Sequence, residues 1–394
     1  MTRSVEALVQ PQLLAWARTS AGLELLVAAN KAQVKPQRLE SWEQGESRPT
    51  IKQLRKLGNI YKRPIAVFYL SEPPVGFQAL RDFRRLPGAV VTTESPELRS
   101  QIRRAHDRRE LALDLYQMVE GEPPSVSLAA TLSDDPEDVA SRMRTFLRVR
   151  YEDQVRWEPG YGAFNEWRAA LERAGVLVFQ ARDIEVSEMR GFSIYGEKLP
   201  AIVANIKDSP RGRIFTMLHE LTHIVLRLGG LCNFRPEDVL SPATDEQRVE
   251  VFCNRVAGAT FIPQQFLLAE GIVATKRRDA DWTDEDIRQL ADRYGASREV
   301  LLRRLLITGR ISDAFYADKV QQIRGEYAAL SARRQEGFAP PHRMAISSAG
   351  PLFVRLVLGS YYTNQITASD VADFLDVRLK HLGAIESEVM GSAS

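Results

Sequence analysis

Five consecutive residues, His219-Glu220-Leu221-Thr222-His223, form the strongest chemical pattern in this 394-residue chain. Side chains four apart on a helix lie one turn above each other, so His219 and His223 can turn both imidazoles toward one zinc ion. Glu220 faces the same pocket. It sits too close in sequence to serve comfortably as a third ligand, but it can reach a water on the metal and take its proton. The surrounding stretch, 214–228, reads as a buried or half-buried helix ending at Gly229-Gly230. A third ligand must arrive from a later element. Thr244-Asp245-Glu246-Gln247 has the form of a capping box and opens a helix through about Thr260, closed by Pro263. Its apolar stripe is Val249, Phe252, Cys253 and Val256. Glu246 and Glu250 flank that stripe on one side, a turn apart, and spacing alone does not choose between them.

The elements that must position these groups follow from pattern and punctuation. Helical spacing over 12–70 ends at Pro73-Pro74, and Ser95-Pro96 opens a long amphipathic helix. That helix has Leu98, Ile102, Ala105, Leu111 and Leu115 on one side and Arg103, Arg104, Arg108 and Arg109 on a solvated face. A helix over 164–173 stops before Gly175. Strand-like runs at 176–179, 191–195 and 201–206 lead into the His-Glu helix. The run 201–206 is a candidate sheet edge along which an extended peptide could pair. The fold class expected is α+β, predominantly helical. It comprises an all-α head, a central part with a small sheet and the HExxH helix, and a helical C-terminal region.

Composition narrows the function classes. With 44% hydrophobic and 26% charged residues the chain is ordinary globular material, long enough for two or three domains. No stretch approaches the roughly 20 apolar residues of a membrane span, and the N-terminus does not read as a signal peptide, so a cytoplasmic protein with no membrane partner is expected. Two cysteines, Cys232 and Cys253, exclude a disulfide framework and a zinc site of three or four thiolates. Cys232 lies nine residues after His223, within reach of an open zinc position, which makes it a candidate regulatory thiol. Residues 1–110 hold 19 Lys+Arg against 11 Asp+Glu, and the remainder holds 34 against 40. A basic head on a mildly acidic body suits nucleic-acid contact at one end.

The run RIFTMLHELTHIVL, then Glu250-Val-Phe-Cys-Asn254-Arg-Val-Ala257 and Phe261-Ile262-Pro263, resembles the signature of the ImmA/IrrE metallopeptidases. Cys253 stands where alanine is common and Val256 where phenylalanine is, both small apolar departures. The resemblance implies Zn2+ held by His219, His223 and Glu250, with Glu220 as general base in a gluzincin-like endopeptidase.

In the head, residues 22–29 and 34–45, followed by Arg48-Pro49-Thr50 and Gln53-Leu54, fall at helix-turn-helix spacing, with Ala29, Val34, Leu39 and Trp42 as its core. The stretch WEQGESRPT resembles the XRE or Cro-type repressor domain. Glu24 stands where a capping Thr or Ser is usual, and Gln33 where the turn often has Gly. Lys35, Gln37, Arg38 and Ser41 would lie at the start or outer face of a recognition helix, with Arg48 near phosphate. A second such pattern at 283–309, with Ala291, Gly295, Ser297 and Leu301 in corresponding places, is read as packing against the catalytic core. Residues 311–394 read as helical, with Ser369 as a cap and a disordered tail at 391–394.

The chain thus reads as a helix-turn-helix domain (1–75), a helical linker (76–155), a zinc metallopeptidase (156–310) and a C-terminal helical region (311–394). The resemblance to both families, in this order, implies a DNA-binding regulator that cleaves a repressor or other regulatory protein to derepress genes. Expected partners are double-stranded DNA, that protein substrate and a second copy as homodimer. The alternatives are a non-catalytic regulator whose zinc pocket is a sensor or structural site, and an antitoxin-like binding protein.

Overall fold

Proline, glycine and capping side chains set most element boundaries in the computed structural model, which describes residues 5–74, 81–82, 94–119, 121–228, 230–232, 244–276, 282–331 and 340–390. The chain divides into two units, Met1–Ala79 with Gly88–His106, and Leu80–Pro87 with Asp107–Ser394. The proposed tail at 391–394 lies outside the described residues. No single helix among the described residues is long and apolar enough to cross a membrane.

The first unit is built on α1 (Pro11–Ser20), α2 (Leu25–Ala32), α3 (Pro36–Glu43) and α4 (Ile51–Tyr61), with a 3-10 turn at Ile65–Tyr69. Prolines occupy the first turns of α1 and α3, where the missing N–H costs nothing. Thr50 and Gln53 form a reciprocal capping box on α4. Glu24 precedes α2 without a side-chain cap bond, and Gln33 after it is held at φ 59°. Leu14, Ala29, Leu39, Trp42, Leu54 and Leu57 close one core, with Val34 packed at its rim. Arg18 pairs with Glu43 at 2.8 Å and ties α1 to α3.

The helix α5 (Pro96–Val119) follows. Leu98, Ile102, Ala105 and Leu115 are buried as its pattern requires, and Ala112 is buried where Leu111 was expected. Arg108 departs from the solvated-face expectation. It is 6% exposed, lies over the rings of Phe179 and Phe353, and donates from Nη1 to the Ser348 carbonyl at 3.1 Å. A guanidinium can enter an apolar seam when aromatic faces and a carbonyl take its charge, which helix periodicity does not reveal.

In the second unit, α6 (Pro136–Leu147), α7 (Tyr151–Gln154) and α8 (Tyr161–Arg173) precede the sheet strands β2 (Leu177–Ala181), β3 (Gly191–Ile194) and β4 (Ala201–Asn205). The short β1 (Arg81–Asp82) and β5 (Gly230–Cys232) complete the sheet, in the order β1-β5-β3-β4-β2. The strand β4 is therefore interior, paired parallel to β2 and antiparallel to β3. It is no edge for a peptide: its five residues are all buried, as strands covered on both faces are.

The helix α9 (Pro210–Val225) lies on β3 and β4 and packs between α8 and α10 (Asp245–Phe261). Then come α11 (Gln264–Ala269), α12 (Gly271–Thr275), α13 (Asp284–Tyr294), α14 (Arg298–Ile307), α15 (Asp313–Ser331), α16 (Pro341–Ala349), α17 (Pro351–Tyr362), α18 (Ala368–Leu375), a 3-10 turn at Leu379–His381, and α19 (Leu382–Met390). The result is a predominantly helical α+β fold. Ala291 and Leu301 join the core that holds Leu218 and Val256, so α13 and α14 pack against α9 and α10. Arg304 secures them, donating to the Ile262 carbonyl at 2.9 Å and pairing with Glu137 at 2.6 Å. The cap of α18 is Thr367, in a capping box with Asp370. Ser369 lies inside the first turn: of several short polar residues, only the one with extended backbone can turn its oxygen to the free N–H groups.

Candidate metal centre

Ser209 accepts from the Gly212 N–H and starts α9, with Pro210 in the first turn. From Thr216 to Val225 every residue of this helix is buried, as a helix enclosed by sheet and helices must be. Gly191 of β3 allows the close approach. A Cβ there would collide with Thr216 Cγ2 and sit 2.9 Å from the Val203 carbonyl oxygen. The Thr244–Gln247 capping box starts α10, whose second turn carries Glu250 inward.

Three donors converge. His219 Nε2 and His223 Nε2 are 3.1 Å apart, Glu250 Oε2 is 3.3 Å from the first, and Glu250 Oε1 is 3.1 Å from the second. A tetrahedral zinc with ligands at about 2.0–2.1 Å separates its donors by about 3.3 Å, so two imidazole nitrogens and a carboxylate at these spacings fit a divalent ion. Among the described residues this is the one group of three such side chains close enough to hold a metal.

The electrostatics agree. Burial penalises the Glu250 carboxylate, yet the two imidazoles outweigh it and pull the group down to about 2. Burial would likewise lower His219, but Glu250, with help from Glu220 and Asn254, raises it. A carboxylate kept ionised in a buried site calls for a positive partner, proton or metal. Burial raises Glu220, and the two imidazoles and the nearby Ser193 hydroxyl offset part of that rise. A carboxyl with raised affinity for a proton, next to the metal ligands, is suited to receiving one.

The carboxylate that reaches the imidazoles is Glu250, whereas Glu246 is exposed. The Cys232 backbone pairs with Gly191 in the β3–β5 ladder, but its side chain lies outside the described residues. Cys253 is fully buried, and burial pushes its thiol well up, so it is inert packing. Sequence reasoning assigned nothing to Gly191 and Ser193, and no role to Asn254. Alternation along β3 puts Gly191 and Ser193 on one face, and a glycine inside a strand signals close approach, which was the available clue.

In the first unit, Lys35 is the residue before α3, and Lys35, Gln37, Arg38 and Arg48 are exposed. Ser41 is half-buried, its hydroxyl donating to the Arg38 carbonyl and shared with Ser47 at 2.6 Å. Arg38 lies 5.7 Å from the Trp42 ring. Four of the five polar side chains are thus exposed: Lys35 just before α3, Gln37 and Arg38 on it, and Arg48 beyond its end.

The buried His219, His223 and Glu250 set, with Glu220 beside the two imidazoles on α9, could hold a metal ion. Residues 171–306, which contain all four of these side chains, match the peptidase family model described as the IrrE N-terminal-like domain. The match supports the ImmA/IrrE family and a peptidase for that segment. No curated protein matches the chain.

Proposed function

We propose that this chain is a DNA-binding transcriptional regulator with zinc-dependent endopeptidase activity, cutting a repressor or similar regulatory protein. The observation that carries the proposal is the convergence of His219, His223 and Glu250 with Glu220 alongside, inside the matched segment. His219, His223 and Glu250 would hold the ion. When bound, it supplies Lewis acidity that polarises a peptide carbonyl and acidifies a water. Glu220 accepts the proton from the attacking water on a carboxylate oxygen and returns it to the departing amine nitrogen. Enclosure by α8, α10 and the sheet keeps bulk water from competing for these charges. DNA contact is assigned to Lys35, Gln37, Arg38, Ser41 and Arg48 on the basic head.

A second reading, a zinc sensor or structural site without turnover, is favoured by burial: Glu220, His223 and Glu250 have no exposed surface. Co-expression of candidate regulators with wild type and with Glu220→Gln separates the two. A cut made only by wild type, with zinc content equal in both, supports the peptidase. Equal repression by both with no cut supports the sensor.

A further inference from the structure

Building on the peptidase reading, we infer that the substrate is recognised by an acidic residue next to an apolar one beside the cut. The recognition site is a cleft between α9, α10 and α14. Of the metal group only His219 reaches the surface, at 5% exposure, so among the described residues the centre opens at that imidazole. Phe215, one turn earlier, has its ring 6.3 Å from that of His219, and Asn254 stands one turn beyond Glu250. Both line a narrow cleft that continues along Val251, Arg255, Val300, Arg303 and Ile307.

The charge of this cleft is one-sided. Arg255, Arg303 and Arg304 line it and no carboxylate does. Glu137 meets the charge of Arg304 at 2.6 Å. Arg255 is exposed, Arg303 rests 5.5 Å from the Tyr316 ring, and neither has an ion pair among the described residues. These positive charges stand in the portion of the chain, 111–394, where acids outnumber bases. Phe215, Val251 and Val300 give the cleft an apolar floor, extended by Ile307 at 42% exposure. A phosphate backbone would use the arginines and leave the floor idle. An extended peptide with Asp or Glu beside an aliphatic residue uses both, and Phe215 carries the cleft toward His219.

The test is cleavage-site profiling on a proteome-derived peptide library, with zinc-loaded full-length protein and with Arg255→Glu/Arg303→Glu. The inference expects Asp and Glu enriched within about three residues on one side of the cut, and a loss of about five-fold per arginine on reversal, as partly exposed charge pairs give. Zinc content should be unchanged, and Arg150→Glu/Arg173→Glu should cut like wild type. Cuts without acidic preference, or a preference that survives the reversal, overturn the inference and leave the peptidase reading standing. If nothing is cut, the peptidase reading fails, and capture of the same library on zinc-loaded Glu220→Gln decides the cleft separately. Acidic peptides retained there and lost with the added double reversal uphold it, and no acidic enrichment overturns it.

Discussion

Adding one methyl group at Gly191 should disturb the centre from the sheet side. The new Cβ would overlap Thr216 Cγ2 and lie 2.9 Å from the Val203 carbonyl, an oxygen fixed in the β3–β4 ladder. The threonine can give way only by moving α9, and the carbonyl only by breaking a strand pair. Overpacking of this kind costs about 1–3 kcal/mol, and a main-chain obstacle places Gly191→Ala in the upper part of that range. At about 2–4 °C per kcal/mol for a body of this size, melting in chelator should fall by about 5–10 °C. Thr216→Ser removes the first obstacle and keeps the hydroxyl. The double variant should therefore recover about 1 kcal/mol relative to the sum of the single costs. Zinc affinity should fall in Gly191→Ala as well, because α9 carries both imidazoles. A Gly191→Ala protein melting within about 1 °C of wild type, or strictly additive costs, would refute the close-approach reasoning.

Other consequences are as direct. Gln33 occupies the left-handed region, and its side chain accepts from Lys56 Nζ at 2.6 Å on the exposed surface. Gln33→Gly relieves the first at small loss of the second, so the first unit should gain about 0.5–1 kcal/mol in denaturant titration of the full chain. Arg108→Ala should cost about 2–3 kcal/mol, because it empties an aromatic-lined seam and leaves the Ser348 carbonyl without this donor. Arg173→Ala, on an exposed turn of α8, should stay within about 0.5 kcal/mol in the same titration.

What was legible in the sequence was local. The His219–His223 spacing, the Thr244–Gln247 box, Pro263 and Gly175 each act within a few residues, and each marks a helix that is present, although α9 runs from Pro210 to Val225 and stops before the glycines. Three strands were legible from apolar runs, but β1 and β5 were not, since two- and three-residue strands exist only through their partners. The choice between Glu246 and Glu250 needed either the family resemblance or coordinates: both lie on one side of a helix, and the rotation of α10 against α9 decides which is buried. The same limit explains Arg108 and β4. Arg108 is buried by groups such as Ser348, 240 residues along the chain, and β4 is interior because β2 and β3 pair with it on both sides, which apolar runs alone do not order.

Two imidazoles and the Glu250 carboxylate should together hold one divalent ion. Zinc K-edge absorption on the full-length protein reads that donor set directly. About one zinc per chain is expected in a shell of nitrogen and oxygen at about 2.0–2.1 Å, with two imidazoles, and that shell should be lost in Glu250→Ala. Failure to retain zinc in wild type, or a shell dominated by sulfur at about 2.3 Å, would contradict it.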